Sequence, residues 1–125
     1  MSSRTEGQER LITKLKREFG TVIIEALNDD SVIEIMLNDD GTLWIEKLGE
    51  NMVCVGTPNI NAKSIIGTIA SYLDTSVTRN DPILECNLPI DGSRFEGIIP
   101  PCVSKSVFTI RKKATQIFDL EDYLA

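Results

Sequence analysis

The segment from Gly92 to Lys113, GSRFEGIIPPCVSKSVFTIRKK, sets two glycines, two arginines and three lysines among strand-like apolar residues. Phosphate chemistry is the first candidate, because Gly92 and Gly97 have the G-x-x-x-x-G spacing of a phosphate loop, whose backbone N–H groups wrap phosphate oxygens. That motif continues with Lys and then Ser or Thr. Here Ile98 and Ile99 follow Gly97, so the ammonium for the phosphates and the hydroxyl for magnesium are both missing. A self-contained phosphate loop is excluded, and the basic residues of the segment need another explanation.

Other chemistries are removed by what the chain lacks. It has no histidine, which takes away the usual general base of nucleophilic triads and the commonest acid or base near neutral pH. Its three cysteines, Cys54, Cys86 and Cys102, are scattered without any C-x-x-C pair, a pattern of reduced thiols rather than of zinc sites or disulfides. Asp39, Asp40 and Asp91 each belong to a turn that accounts for them, so no metal is expected here. With thirteen basic and nineteen acidic residues the net charge is −6, which opposes unspecific attachment to nucleic acid or anionic lipid. Positive charge gathers only in two places: Arg4, Arg10, Lys14, Lys16 and Arg17 near the N-terminus, and Lys105, Arg111, Lys112 and Lys113. The aromatic content of 6% supplies no stacking platforms between basic residues, so direct nucleic-acid binding is not expected. No apolar signal core opens the chain and no run approaches the roughly 18 apolar residues of a membrane span, and the expectation is a cytoplasmic protein.

The elements that must position these residues can be read from periodicity. Its 125 residues, 42% hydrophobic, are one domain's worth of chain. Leu11, Ile12, Leu15 and Phe19 recur at helical spacing up to Gly20, and TVIIEALND continues as a second, shorter helix, giving an N-terminal helix pair. The period then changes to two. VIEIMLN carries Ile33, Ile35 and Leu37 on one face, DDG supplies a hairpin, and TLWIEKL and MVCVG complete a three-stranded meander. Asn61 is a natural cap for a helix AKSIIGTIASYLDT with a buried stripe of Ile65, Ile66, Ile69 and Leu73. ILECNLP, RFEGIIP and SVFTIRKK are three more strands, interrupted at Pro100 and Pro101. The fold class predicted is α+β: an antiparallel sheet of about six strands with helices packed on one side. FDLEDYLA reads as the first turn of another helix, with Asp119 as cap and Leu120, Tyr123 and Leu124 exposed unless something packs on them, so the chain is expected to be a piece of something longer.

The order of these motifs carries a resemblance. VIEIMLNDDGTLWIEKLGE, LPIDGSRFEGIIPP, FTIRKK and FDLEDYLA together resemble the N-terminal domain of the type II and type IV secretion traffic ATPases, nearest to the TrbB-type enzymes of conjugation systems. The likeness runs from about Leu11 to Ala125. Its specific part is L-P-x-D-G-x-R, the double proline and I-R-K in that order, with Ile90 an insertion relative to the commoner L-P-D-G. It implies a PAS-like N-terminal domain over residues 1–114 and, over 115–125, the start of a linker to a RecA-like ATPase domain. That second domain would carry the phosphate loop and the Mg2+ ligands. The resemblance further implies a homohexameric ring at the inner face of the bacterial inner membrane, working with other subunits of a transfer or secretion machine. Nucleotide would lie between the two domains, with Arg94 and Arg111 reaching its phosphates and Phe118 near the nucleobase. Chemistry agrees with the arginine roles, since a guanidinium is a planar fork of donors matched to phosphate oxygens and stays charged at any cellular pH.

Plainer readings stand beside these. Arg94 could pair with Glu85 or Glu96, and Arg111, Lys112 and Lys113 could be a solvated strand end that discourages edge aggregation. Phe118 could close the end of the core, and Trp44 could serve the core or an interface. As a whole the chain could instead be a stand-alone interaction module or a nucleic-acid-binding module.

Overall fold

The computed structural model describes residues 4–112. Helix α1 (Glu6–Asn28) starts at a reciprocal cap in which the Thr5 hydroxyl accepts from the Gln8 N–H at 3.0 Å and the Gln8 side chain accepts from the Thr5 N–H at 3.0 Å. Gly20 interrupts the helix with φ 81° and ψ 174°, a conformation that favours glycine. The result is the expected pair of helical segments, and a single buried stripe of Ile12, Leu15, Phe19, Ile23, Ala26 and Leu27 runs across the break.

The strands follow as β1 (Val32–Leu37), β2 (Leu43–Lys47) and β3 (Val53–Gly56), then helix α2 (Ala62–Tyr72), then β4 (Ile83–Asn87), β5 (Arg94–Ile98) and β6 (Val107–Arg111). They form one sheet in the order β3-β2-β1-β6-β5-β4, with every neighbouring pair antiparallel. Two three-stranded meanders are thus joined along a single seam, β1 against β6. Both helices pack on the same side of this sheet, as predicted.

The interior is built from residues that alternate along the strands. One register row runs Ile45, Ile35, Ile110, Phe95; the next runs Leu43, Leu37, Phe108, Gly97. Phe108 lies edge-on to Phe19 and stacked on Phe95, each at 5.8 Å between ring centres. Gly97 is where α2 comes closest: a β-carbon built there would lie 2.6 Å from Ile66 Cγ1 and 3.0 Å from Phe95 Cε2. Its glycine partner in the motif spacing, Gly92, sits in the β4–β5 turn at φ 80°. The G-x-x-x-x-G spacing therefore comes from one turn and one helix-to-sheet contact.

Two stripe predictions need correction. Val32, with Ile35 and Leu37, is in the core, whereas Ile33 is only half-buried, because a register shift between Val32 and Glu34 breaks the strict alternation in β1. Leu73 is 40% exposed, since α2 stops at Tyr72 and the chain turns away through Asp74 at φ 58°. Ala62 and Ala70 complete the α2 stripe instead, and Asn61 caps the helix as predicted, accepting from the Ser64 N–H at 3.0 Å.

Polar ties hold the helices in place. Glu18 of α1 accepts hydrogen bonds from Ser64 and from the buried Thr68 of α2, while Lys14 donates to Thr68 at 3.0 Å. Arg4 reaches the Tyr72 hydroxyl at 3.1 Å and the Pro89 carbonyl at 2.6 Å. At the other end, Lys112 donates to the carbonyls of Ala26 and Asp29, at 3.3 and 3.0 Å, and so caps the C-terminus of α1 from the end of β6. Lys112→Met should keep the aliphatic stem and lose the cap, lowering stability by about 1 kcal/mol in denaturant titration. An unchanged midpoint would mean that solvent serves these carbonyls equally well.

Candidate functional site

The face of the sheet turned away from the helices carries the charged residues. One register row reads Asn87, Arg94, Arg111, Glu34, Glu46 from β4 to β2, and the neighbouring row reads Glu85, Glu96, Thr109, Met36, Trp44. Arg94 and Arg111 are direct cross-strand partners. The hairpin β5–β6 thus brings together the two arginines singled out from sequence. They are placed on the uncovered side, for Arg94 is exposed and the Arg111 side chain is 73% exposed.

Like charges directly opposite one another are unfavourable in a sheet. Two features make the pair tolerable here: open solvent, and carboxylates on the strands around it. Arg111 Nη2 lies 4.0 Å from Glu34 Oε2, whose side chain is only 18% exposed. Glu85, Arg94, Glu96, Thr109 and Arg111 line a shallow hollow of about 170 Å³. Within it the Glu96 carboxyl is pushed above its ordinary range, chiefly by its hydrogen-bonded approach to Glu85, then by desolvation and by the charge of Glu85. The arginines act in the opposite direction, both Arg94 and Arg111 pulling Glu96 down. The hollow is therefore a place where two neighbouring guanidiniums can bridge several anionic oxygens at once, in competition with the carboxylates already there.

The other candidates are dispersed. Lys112 is spent on the end of α1. Lys105 lines a larger hollow of about 660 Å³ at the start of α2, with Asn38, Pro58 and Lys63. Lys113 and Phe118 lie outside the described residues. The basic cluster legible in the sequence is thus not one patch. Trp44 is half-buried on the outer face, its indole N–H donating to Thr42 Oγ1 at 2.9 Å, so of the two roles open to it the core one does not hold. Asp40 and Asp91 tie down their turns through Thr42 and Ser93, as expected. Among the described residues no group of three or more His, Cys, Asp or Glu could hold a metal ion. Nor is any described helix long and apolar enough to cross a membrane. Glu34 was not evident from the sequence, since only the strand register reveals that it faces Arg111.

No protein-family model matches the chain. The fold class, a one-sided antiparallel α+β sheet, is that of part of a secretion ATPase. The crystal structure of the VirB11 ATPase from the Brucella suis type IV secretion system superposes with a TM-score of 0.81 and 22% identity, covering 96% of this chain and 36% of that one. In sequence the chain is similar to conjugal transfer proteins TrbB. It is 44% identical over 116 residues to the probable conjugal transfer protein TrbB of Sinorhizobium fredii, matching 92% of this chain and 36% of that protein. With the conjugal transfer protein TrbB of Rhizobium radiobacter it shares 44% over 124 residues, 98% of this chain and 38% of that protein. The chain therefore spans less than two fifths of the length of these relatives.

Proposed function

We propose that this chain is the N-terminal domain of a hexameric ATPase that energises conjugative DNA transfer or type IV secretion, and that it supplies Arg94 and Arg111 to ATP held by a C-terminal RecA-like domain. The observation that carries this is the register of β5 and β6, which aligns the two arginines on the sheet face that neither described helix covers. Similarity to TrbB proteins and the VirB11-like fold support the machine; the arginine geometry supports the phosphate contact. Residues 1–114 form the domain and 115–125 begin the linker, with Phe118 meeting the nucleobase. Mg2+ is held by the second domain, and the ring works on the cytoplasmic side of the inner membrane with other subunits of the machine.

In this reading the domain is a lever. Two guanidiniums on a separate body are drawn in while a triphosphate is present and let go after hydrolysis, which converts chemistry into rigid-body motion. The full-length reading frame should continue beyond Ala125 into G-x-x-x-x-G-K-[ST], and its purified product should hydrolyse ATP. Purified residues 1–125 should not. ATP turnover by residues 1–125, or a reading frame without that motif, would refute the proposal.

A further inference from the structure

Arg94 and Arg111 are surrounded by carboxyls contributed by three strands. From β1, Glu34 approaches Arg111. On β5, Glu96 is two residues from Arg94 on the same face, and its charge is coupled to both arginines. From β4, Glu85 stands directly opposite Glu96. Of the other residues in these two rows, Asn87, Thr109, Met36 and Trp44 are uncharged, and Glu46 on β2 stands opposite Glu34. A polyphosphate that occupies both guanidiniums cancels the positive charge that favours ionised Glu96, yet leaves Glu85 where it was. Two adjacent carboxyls deprived of their counter-charges hold a proton more tightly, and they titrate as a pair.

Resting on the arginine roles proposed above, we infer that Glu96, which faces Glu85 across β4–β5, is a proton-accepting carboxyl that competes with polyphosphate for Arg94 and Arg111, so that engagement of the phosphates is coupled to proton uptake. The sign follows from the charges. In the free domain Glu96 sheds its proton as pH rises through a range already raised, chiefly by Glu85 opposite it. With the arginines neutralised by phosphate that range moves higher still. Between the two ranges the engaged state holds more protons than the free one, so affinity falls as pH rises. Glu34 also competes for Arg111, and it faces Glu46 across the β1–β2 pairing, one strand further from Glu96.

Inorganic tripolyphosphate is the probe, titrated into the 125-residue chain while the Nε resonances of Arg94 and Arg111 are followed. Glu96→Gln should bind it about three- to tenfold more tightly than the wild type at pH 7.5. The advantage should be smaller at pH 5, because falling pH adds a proton to the wild-type Glu96 carboxyl. Protonation of the probe is common to both proteins and cancels in the ratio. Glu34→Gln should also bind more tightly at pH 7.5, because it removes a carboxylate that competes for Arg111. A Glu96→Gln advantage that is the same at both pH values, or is missing at pH 7.5, overturns the proton coupling while the arginine contacts stand. No response at Arg94 and Arg111 even in Glu96→Gln, or binding that survives in Arg94→Gln/Arg111→Gln, overturns the arginine reading and the coupling with it.

Discussion

Arg111→Ala in the full-length protein should lower ATP turnover by about a thousandfold or more, the size of effect seen when an arginine that meets a transferring phosphoryl group is removed. Arg94→Ala should do the same. Neither change should harm the domain, because both side chains lie outside the core and each opposes the other across the β5–β6 pairing. Removing one guanidinium relieves a like-charge contact but also takes a counter-charge from the neighbouring carboxylates, so thermal midpoint and ring assembly should change little. Arg111→Lys separates charge from geometry. It keeps the positive charge but loses the planar fork, and only a small part of the turnover should return. Steady-state hydrolysis with parallel size-exclusion chromatography decides the matter: turnover near wild type in either alanine variant would remove these arginines from the phosphate contact.

Gly97→Ala should lower stability by about 1–3 kcal/mol, although it adds a single methyl group to a strand. The new carbon would stand 2.6 Å from Ile66 Cγ1 and 2.9 Å from Ile66 Cδ1, and Ile66 is itself fully buried in α2. A branched side chain held by neighbours on all sides cannot swing away, so α2 must lift from the sheet or Phe95 must shift. In a domain of this size the loss corresponds to a fall in the melting midpoint of several degrees or more. A double variant tests the cause. Ile66→Ala alone should cost about 2–5 kcal/mol through the cavity it leaves, but it opens the space that the added methyl group needs. Gly97→Ala/Ile66→Ala should therefore be more stable than the sum of the single effects predicts, by about 1 kcal/mol. Simple additivity would show that Gly97 is not kept small by the helix above it.

Much of this fold was legible because hydrophobic period and turn residues agree along the chain. Asn61, the turns at Asp40 and Asp91, and the break at Gly20 each mark a boundary that the backbone uses. The misreadings have local causes. Alternation alone assigns Ile33 to the core, and only pairing with β2 reveals the register shift that puts Val32 there instead. A helical repeat extends to Leu73 on paper, while the backbone leaves the helix at Tyr72. Side chains that reach far along the chain were opaque: nothing around Lys112 tells of Ala26, and nothing near Glu18 announces Thr68. The candidate site shows the same division. Its arginines are conspicuous as residue types, yet they lie seventeen positions apart, and their adjacency depends on where the β5–β6 loop closes. The surrounding glutamates look like ordinary surface charge until the strands are aligned.

The seam between the two meanders also dictates timing. Ile35 pairs with Ile110, so the middle of the sheet waits for a strand that the ribosome delivers about seventy-five residues after its partner. Until then β1, with its apolar VIEIML sequence, keeps one edge bare, the kind of intermediate that recruits chaperones or neighbouring chains. The last strand closes that edge, and with the same step it sets Arg111 beside Glu34. A chain whose β6 has not yet docked on β1 therefore lacks the Arg111–Glu34 pair, and this face of the sheet is complete only when the seam has closed.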